Sequence, residues 1–217
     1  MVRRTKEDAL ATRQSLLDAA ELLFQAQGVS RTSLNDIARK AGTTRGAIYW
    51  HFKDKADLFN AMMERVTLPL EQAFRNVGTD PDGNPMEQIR QAMREALGLI
   101  ANDERTRRVF EVVTQKVEYV DELREVRMRH LAARNEFLSK VGKGLSLAAD
   151  VQKITLPVSP ANAAQGLHAL VDGLIQNWLL DTEAFGFAVD SEQIIDVYLR
   201  GLGFSNANPM ATARAPG

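Results

Sequence analysis

The chain has 217 residues, 45% of them hydrophobic and 25% charged, with a formal net charge of -1 and no cysteine. That composition is globular rather than disordered and excludes disulfides, thiolate metal sites and a cysteine nucleophile. His51, His130 and His168 lie too far apart to suggest a local metal site, no cofactor motif is present, and no window approaches the roughly 18 apolar residues of a membrane span, so a cytoplasmic protein is expected.

The charge is uneven. Residues 1–60 hold ten Lys and Arg against seven Asp and Glu, whereas residues 61–217 hold seventeen against twenty-one. A basic excess confined to the N-terminal part suggests that only this part meets a polyanion.

The first helix is predicted in LATRQSLLDAAELLFQAQG, where Leu16, Ala19, Ala20, Leu23 and Phe24 recur at helical spacing and Gly28 supplies the stop. Ser33 can cap SLNDIARKA, which Gly42 ends. Thr43 can then cap a third helix that carries Ala47, Ile48 and Phe52. A fourth is expected over 55–77, kinked at Pro69, followed by the loop GTDPDGNP over 78–85. Further helices are expected over 86–101, 104–118, 121–149, 160–180 and 191–202, with no convincing strand anywhere and a disordered tail over 205–217. The fold class is therefore all-α.

The second and third helices, joined by a turn at Gly42, form a helix-turn-helix, the device that lays its second helix in the major groove of DNA. In GTTRGAIYWHF only Ala47, Ile48 and Phe52 are needed to hold the inner face. Thr44, Arg45 and Gly46 sit at the helix start, where side chains reach base edges. Tyr49, Trp50 and His51 follow, with Lys53 and Lys55 at the start of the fourth helix, where cations and helix-terminal amides can hold phosphate. The plainer reading is that the aromatics only close a helical core.

The segment TSLNDIARKAGTTRGAIYWHFKDKADLF closely resembles the DNA-binding signature of the tetracycline-repressor (TetR) family of bacterial transcription regulators. The start MVRRTKEDALATR is similar to AcrR-type repressors of multidrug efflux pumps. The resemblance implies base reading by Thr44, Arg45 and Gly46, phosphate contacts from Tyr49 and His51, and further phosphate positions at Ser33 and Lys55; Thr43, Trp50 and Lys53 complete the candidate DNA-binding residues. Arg3, Arg4 and Lys6 form either a basic arm that reaches an adjacent groove or a merely solvated terminus. The expected division is a DNA-binding domain over 1–55, a ligand-binding and dimerisation domain over 56–204, and the tail.

Beyond residue 66 the resemblance thins, although ERTRRVFEVVTQKVEYVDEL and LVDGLIQNWLLDTEAFGF are still AcrR-like. Val117 stands where relatives often carry cysteine, so no thiol-dependent sensing is expected. In helical projection the segment 160–180 sets Ala164, Leu167, Val171, Leu174, Ile175 and Trp178 on one apolar face, with His168, Asp172 and Gln176 along its border. Gly166, Leu170, Gly173 and Asn177 form a narrow stripe of mostly small residues, suited to a homodimer seam. The family pairs its last two helices across such a seam, here with QIIDVYLRGLGF.

A carboxylate beside an apolar face is costly unless it is paired, so Asp172 either has a structural partner or grasps a ligand's polar groups. The resemblance implies a hydrophobic drug pocket, with Val66, Met93, Leu97, Phe110, Thr114, Phe137, His168, Val171, Asp172 and Gln176 as candidates to line it; each could equally be ordinary core. The implied function is a ligand-responsive repressor that binds a palindromic operator as a homodimer, controls a multidrug efflux operon, and is released by hydrophobic or aromatic compounds. A catabolic or biosynthetic operon is the alternative target. An all-helical enzyme using His168 and Asp172 as an acid–base pair is the alternative of another class.

Overall fold

A computed structural model describes residues 6–79, 83–118 and 123–205. Arg3 and Arg4 of the expected arm, residues 121–122 of the expected long helix and the tail from 206 onward lie outside the described residues. Among those described, nine α-helices and one five-residue π-helical segment make up the fold, without a strand. The described residues fall into two compact units, one within Met1–Leu70 and Leu99–Ala133, the other within Glu71–Gly98 and Arg134–Gly217.

The first unit begins with α1 (Lys6–Gln27), which buries Leu16, Leu17, Ala20 and Phe24 completely. It stops at Gly28, whose φ of +86° places it in the left-handed region that favours glycine. The helix α2 (Leu34–Lys40) opens on a capping box. Ser33 Oγ accepts from the Asp36 N–H at 3.2 Å, and the Asp36 carboxylate accepts from the Ser33 N–H at 3.1 Å. Gly42, at φ +66°, turns the chain into α3 (Arg45–His51).

The cap of α3 is Thr44 rather than the expected Thr43. Thr44 has extended backbone and its Oγ1 accepts from the Ala47 N–H at 3.2 Å, while the Thr43 N–H donates to the Ala38 carbonyl at 2.9 Å and so belongs to the end of α2. The helix α4 (Lys55–Ala73) is shorter than the expected 55–77. Its continuation breaks into turns in which the N–H groups of Arg75, Val77 and Thr79 each reach back three residues, to Gln72, Phe74 and Asn76. The core of this unit joins Phe24, Ile37, Ile48, Phe52, Phe59 and Met62 to Val109 and Val112.

The sequence predicted one continuous helix over 104–118. Instead α6 (Glu104–Glu111) passes into a π-helical segment, Val112–Lys116. This pair lies parallel to α1 and in register with it. Arg105 bonds Asp18, Gln25 bonds Glu111 and Ser30 bonds Glu118, at sequence separations of 87, 86 and 88. At the far end the Val29 N–H donates to the Lys116 carbonyl at 3.2 Å.

In the second unit, α5 (Pro85–Asn102) and α7 (Arg124–Gln152) supply part of their length, with α8 (Pro160–Leu180) and α9 (Phe187–Gly201). Gly144 of α7 is forced by packing: a Cβ there would lie 2.9 Å from Val77 and 3.2 Å from Ile89. The helix α9 starts four residues before the predicted 191. The Gly186 N–H donates to the Asp190 carboxylate at 2.8 Å, and the Phe187 ring stacks on Trp178 at 4.6 Å, so the extra turn is held at both ends. Arg90 pairs with Asp196, and Arg94 with Glu192 at 3.2 Å, linking α5 to α9.

Candidate functional site

A seven-residue helix has too few internal bonds to be stable alone. The helix α3 is held instead by the Thr44 cap, by fully buried Ile48, and by Phe52, which follows its last turn and is buried. Ala47 and His51 are half-buried, and the rest of it is exposed. Thr44, Arg45 and Gly46 are exposed at its start, Tyr49 is 49% exposed and Trp50 is 74% exposed. Leaving an indole that open in water forgoes the burial that normally places tryptophan inside.

These outward groups are ordered against one another. The Arg45 guanidinium lies 5.7 Å from the centroid of the Tyr49 ring, and the Trp50 and His51 rings meet edge to face at 4.6 Å. On the inner side Arg13 of α1 covers the Phe52 ring at 5.1 Å. The face therefore offers one guanidinium, two exposed aromatics and an imidazole on a single short element, with exposed Lys53 just beyond.

Two of the expected phosphate positions differ in character from the rest. The Ser33 hydroxyl donates to Asp36 at 2.6 Å and is committed to its cap. Lys55 is buried, with its ammonium donating to the carbonyls of Val29 and Thr32 at 3.2 and 3.3 Å.

The candidate effector residues divide between the units. Val66, Phe110 and Thr114 belong to the first. Val66 is buried in its core, Phe110 is half-buried, and exposed Thr114 donates its hydroxyl to the Phe110 carbonyl at 2.8 Å. The other seven belong to the second unit, where Met93 and Leu97 are buried. Phe137 and His168 meet edge to face at 5.4 Å, Phe74 meets Phe137 at 4.9 Å, and His168 Nδ1 lies 3.2 Å from an Asp172 carboxylate oxygen. The side chain of Asp172 is 51% exposed, so its charge is partly solvated as well as paired. Val171 is half-buried and Gln176 exposed.

In the small-residue stripe, Gly166 is accounted for within the chain. A Cβ there would collide with the Tyr198 hydroxyl, which donates to the Ala163 carbonyl at 2.8 Å. Gly173 has open space where its Cβ would be, Leu170 is half-buried, and exposed Asn177 donates its amide to the Gly173 carbonyl at 2.7 Å.

One cluster escaped sequence reasoning. Glu21 of α1, 1% exposed, faces Arg65 of α4 at 3.0 Å and Arg105 and Arg108 of α6 at 3.5 and 3.8 Å, with Asp18 bonding Arg65 and Arg105. Burial pushes the Glu21 carboxyl above its ordinary value, the arginines pull it back, and Asp18 adds to the rise. A signal was present: Glu21 sits four residues from Leu17 and three from Phe24, on the buried stripe of α1, where a charge requires partners.

Among the described residues no helix is long and apolar enough to cross a membrane, and no group of three or more His, Asp or Glu is placed to hold a metal. Residues 16–62 match the family model for bacterial regulatory proteins of the tetR family, and residues 84–204 match that for the C-terminal region of MAATS-type transcriptional repressors. The HTH-type transcriptional regulator TtgR of Pseudomonas putida is 37% identical over 209 residues, covering 95% of this chain and 99% of that protein. Among solved structures, NalD, the secondary repressor of the MexAB-OprM multidrug efflux pump in Pseudomonas aeruginosa, is 39% identical with a TM-score of 0.81, covering 91% of this chain and 98% of that one. The SmeT–triclosan complex is 33% identical with a TM-score of 0.76, covering 88% and 91%. With its helix-turn-helix and its match along nearly the whole length of such relatives, the chain belongs to the TetR family of bacterial transcription regulators, which bind DNA and are not enzymes.

Proposed function

We infer that this chain is a cytoplasmic, effector-responsive repressor that binds a palindromic operator as a homodimer and controls a multidrug efflux operon. The observation that carries the DNA-binding part is the outward face of α3, where Arg45, Tyr49 and 74%-exposed Trp50 project from a helix anchored by Ile48. Arg45 with Thr44 and Gly46 would read base edges, while Tyr49, His51 and Lys53 would hold phosphates. Residues 1–55 would serve DNA and residues 56–204 the effector and the second subunit, with Leu170, Gly173 and Asn177 at the seam.

The efflux assignment is supported by the role of NalD as a repressor of a multidrug efflux pump, and the effector class by triclosan in the SmeT complex. On this chain the aromatic rings of Phe74, Phe137 and His168 and the partly solvated Asp172 would suit a planar phenolic or cationic compound. The effector acts by preferring one of two conformations, and releases DNA only to the extent of that preference.

The test is fluorescence anisotropy with promoter fragments from the native genome, those of transporter genes included, in the absence and presence of triclosan. The expected outcome is tight binding to a palindromic fragment, at least a hundredfold above random DNA, and release by the phenol. Binding without discrimination, or discrimination that triclosan and related apolar compounds leave unchanged, would overturn the respective half of the reading.

A further inference from the structure

Lys55 is the first residue of α4 and only 9% exposed. A buried ammonium needs acceptors. Here they include two backbone carbonyls, of Val29 and Thr32, at 3.2 and 3.3 Å. Both carbonyls belong to the turn between α1 and α2, some 23 to 26 residues earlier in the chain. The same turn is bonded from other directions. The Val29 N–H donates to the Lys116 carbonyl at 3.2 Å, and the Thr32 hydroxyl donates to the Gly28 carbonyl at 2.8 Å and accepts from the Gln27 amide at 3.1 Å. The next residue is Ser33, the cap of α2.

An ammonium directed at those carbonyls points into the protein. Laying it on a phosphate would strip the turn of a charge-assisted donor and leave two carbonyls to find another. Two residues earlier, the Lys53 side chain is 79% exposed and its nearest carboxylate, Asp54, is 3.9 Å away. The two lysines at the start of α4 are thus divided in their work.

We propose that Lys55 is a positioning residue for operator recognition: it fixes the α1–α2 turn, and with it the start of α2, to the start of α4, while Lys53 supplies the phosphate-binding charge there. The helix α2 braces α3 through the short Gly42 turn, so the placement of Ser33 sets the angle at which Arg45 meets the bases. This rests on the reading of the chain as an operator-binding protein.

The experiment uses the full chain, a palindromic operator duplex and a random duplex of equal length, with anisotropy titrations from about 50 to 200 mM salt. Lys55→Met keeps the length of the side chain and removes the donor. It is expected to weaken operator binding about tenfold or more, to lower the ratio of operator to random affinity, and to leave the slope of log K against log salt unchanged. Lys53→Met is expected to weaken both duplexes alike and to reduce the slope by about 0.9. A slope reduced by about 0.9 in Lys55→Met would make Lys55 a direct phosphate contact and overturn the proposal. A lower melting temperature with the affinity ratio intact would make it merely structural and overturn it equally.

Should Lys55→Met fail to fold, acetylation of the wild-type protein read by peptide mass spectrometry decides. Lys53 is expected to label when free and to be protected by operator, with Lys55 unlabelled in both states. Labelling of Lys55 that operator suppresses overturns the proposal. If wild-type protein binds no DNA, the functional reading fails, and the labelling of the free protein still tests the inward placement.

Discussion

The helix α3 and the helix α8 solve opposite problems. With seven residues and one buried side chain, Ile48, α3 is held by its ends and leaves Arg45, Gly46, Tyr49 and Trp50 exposed. With 21 residues, α8 buries Ala163, Ala164, Leu167, Ile175 and Trp178 along its length. On α3 the outward residues are set by chemistry and the inward one by packing. On α8 packing claims one side throughout, and the function of the rest depends on what covers it. A short helix that hangs from few anchors can vary its outer face freely, but it cannot lose an anchor.

The largest effect should come from removing that anchor. Ile48→Ala is expected to cost about 2 to 5 kcal/mol, as for other fully buried aliphatics, and to abolish operator binding with it. Chemical denaturation checks the first and anisotropy the second. A cost below about 1 kcal/mol would mean that the Thr44 cap and Phe52 suffice, and the contrast with α8 would dissolve.

Two glycines on α8 sharpen the other side. Gly166→Ala drives a methyl into the Tyr198 hydroxyl and should cost about 1 to 3 kcal/mol by overpacking. Gly173→Ala meets nothing within 4 Å in this chain and alone would gain up to about 1 kcal/mol of helix propensity, but at the proposed seam its methyl crowds the second chain, so the melting temperature is expected to fall, and to fall further on dilution. A melting temperature that rises for Gly173→Ala would move the seam away from that glycine.

A smaller effect is expected at Asp103, whose carboxylate caps α6 by accepting from the Thr106 N–H at 2.7 Å. Asp103→Ala should cost about 1 kcal/mol. Hydrogen bonds from Thr106 hold this carboxyl below its ordinary value of 3.8. Its contribution is therefore full above that value and disappears as the pH falls through the lowered one. Melting curves of wild type and variant should converge on acidification; a constant gap would locate the loss in packing instead.

The smallest change in stability is expected at the most exposed aromatic. Trp50→Ala should shift unfolding by less than about 0.5 kcal/mol while weakening operator binding. A destabilisation comparable to that of Ile48→Ala would put the indole in the core and undo the reading of the outer face.

The helix-turn-helix was legible because its determinants are local. Ser33, Gly42, Ile48 and Phe52 act within a few residues of themselves, and the resemblance to the family rests on the same stretch. Thr43 and Thr44 are both able to cap, and only the turn geometry decides between them. The π-helical segment was invisible, since nothing in VVTQK forbids an ordinary helix and its end is bonded to Val29 from another part of the chain. The inward lysine was hidden for the same reason: the carbonyls of Val29 and Thr32 that accept from it belong to the backbone and carry no side-chain signature. In the second unit the buried face of α8 was largely recovered from periodicity, with Val171 and Leu174 only half-buried. Periodicity says which residues are apolar together, and not which helix, ligand or subunit they meet.

The parallel register of α1 with α6 and its π-helical continuation bears on how such regulators can be recombined. The N-terminal unit is not a contiguous stretch of sequence: residues of Leu99–Ala133 belong to it, and they bond α1 rung by rung at a nearly constant spacing. A DNA-reading head transplanted from another regulator by cutting near residue 62 would arrive without the matching rungs. Its Asp18, Glu21, Gln25 and Val29 equivalents would face arginines, a glutamate and a carbonyl selected for a different helix. Exchange of operator specificity should therefore succeed by replacing the outward residues of α3 alone, or by moving both stretches together. A single insertion or deletion in either helix would shift every later rung at once, so lengths on the two sides of the ladder can change only in concert.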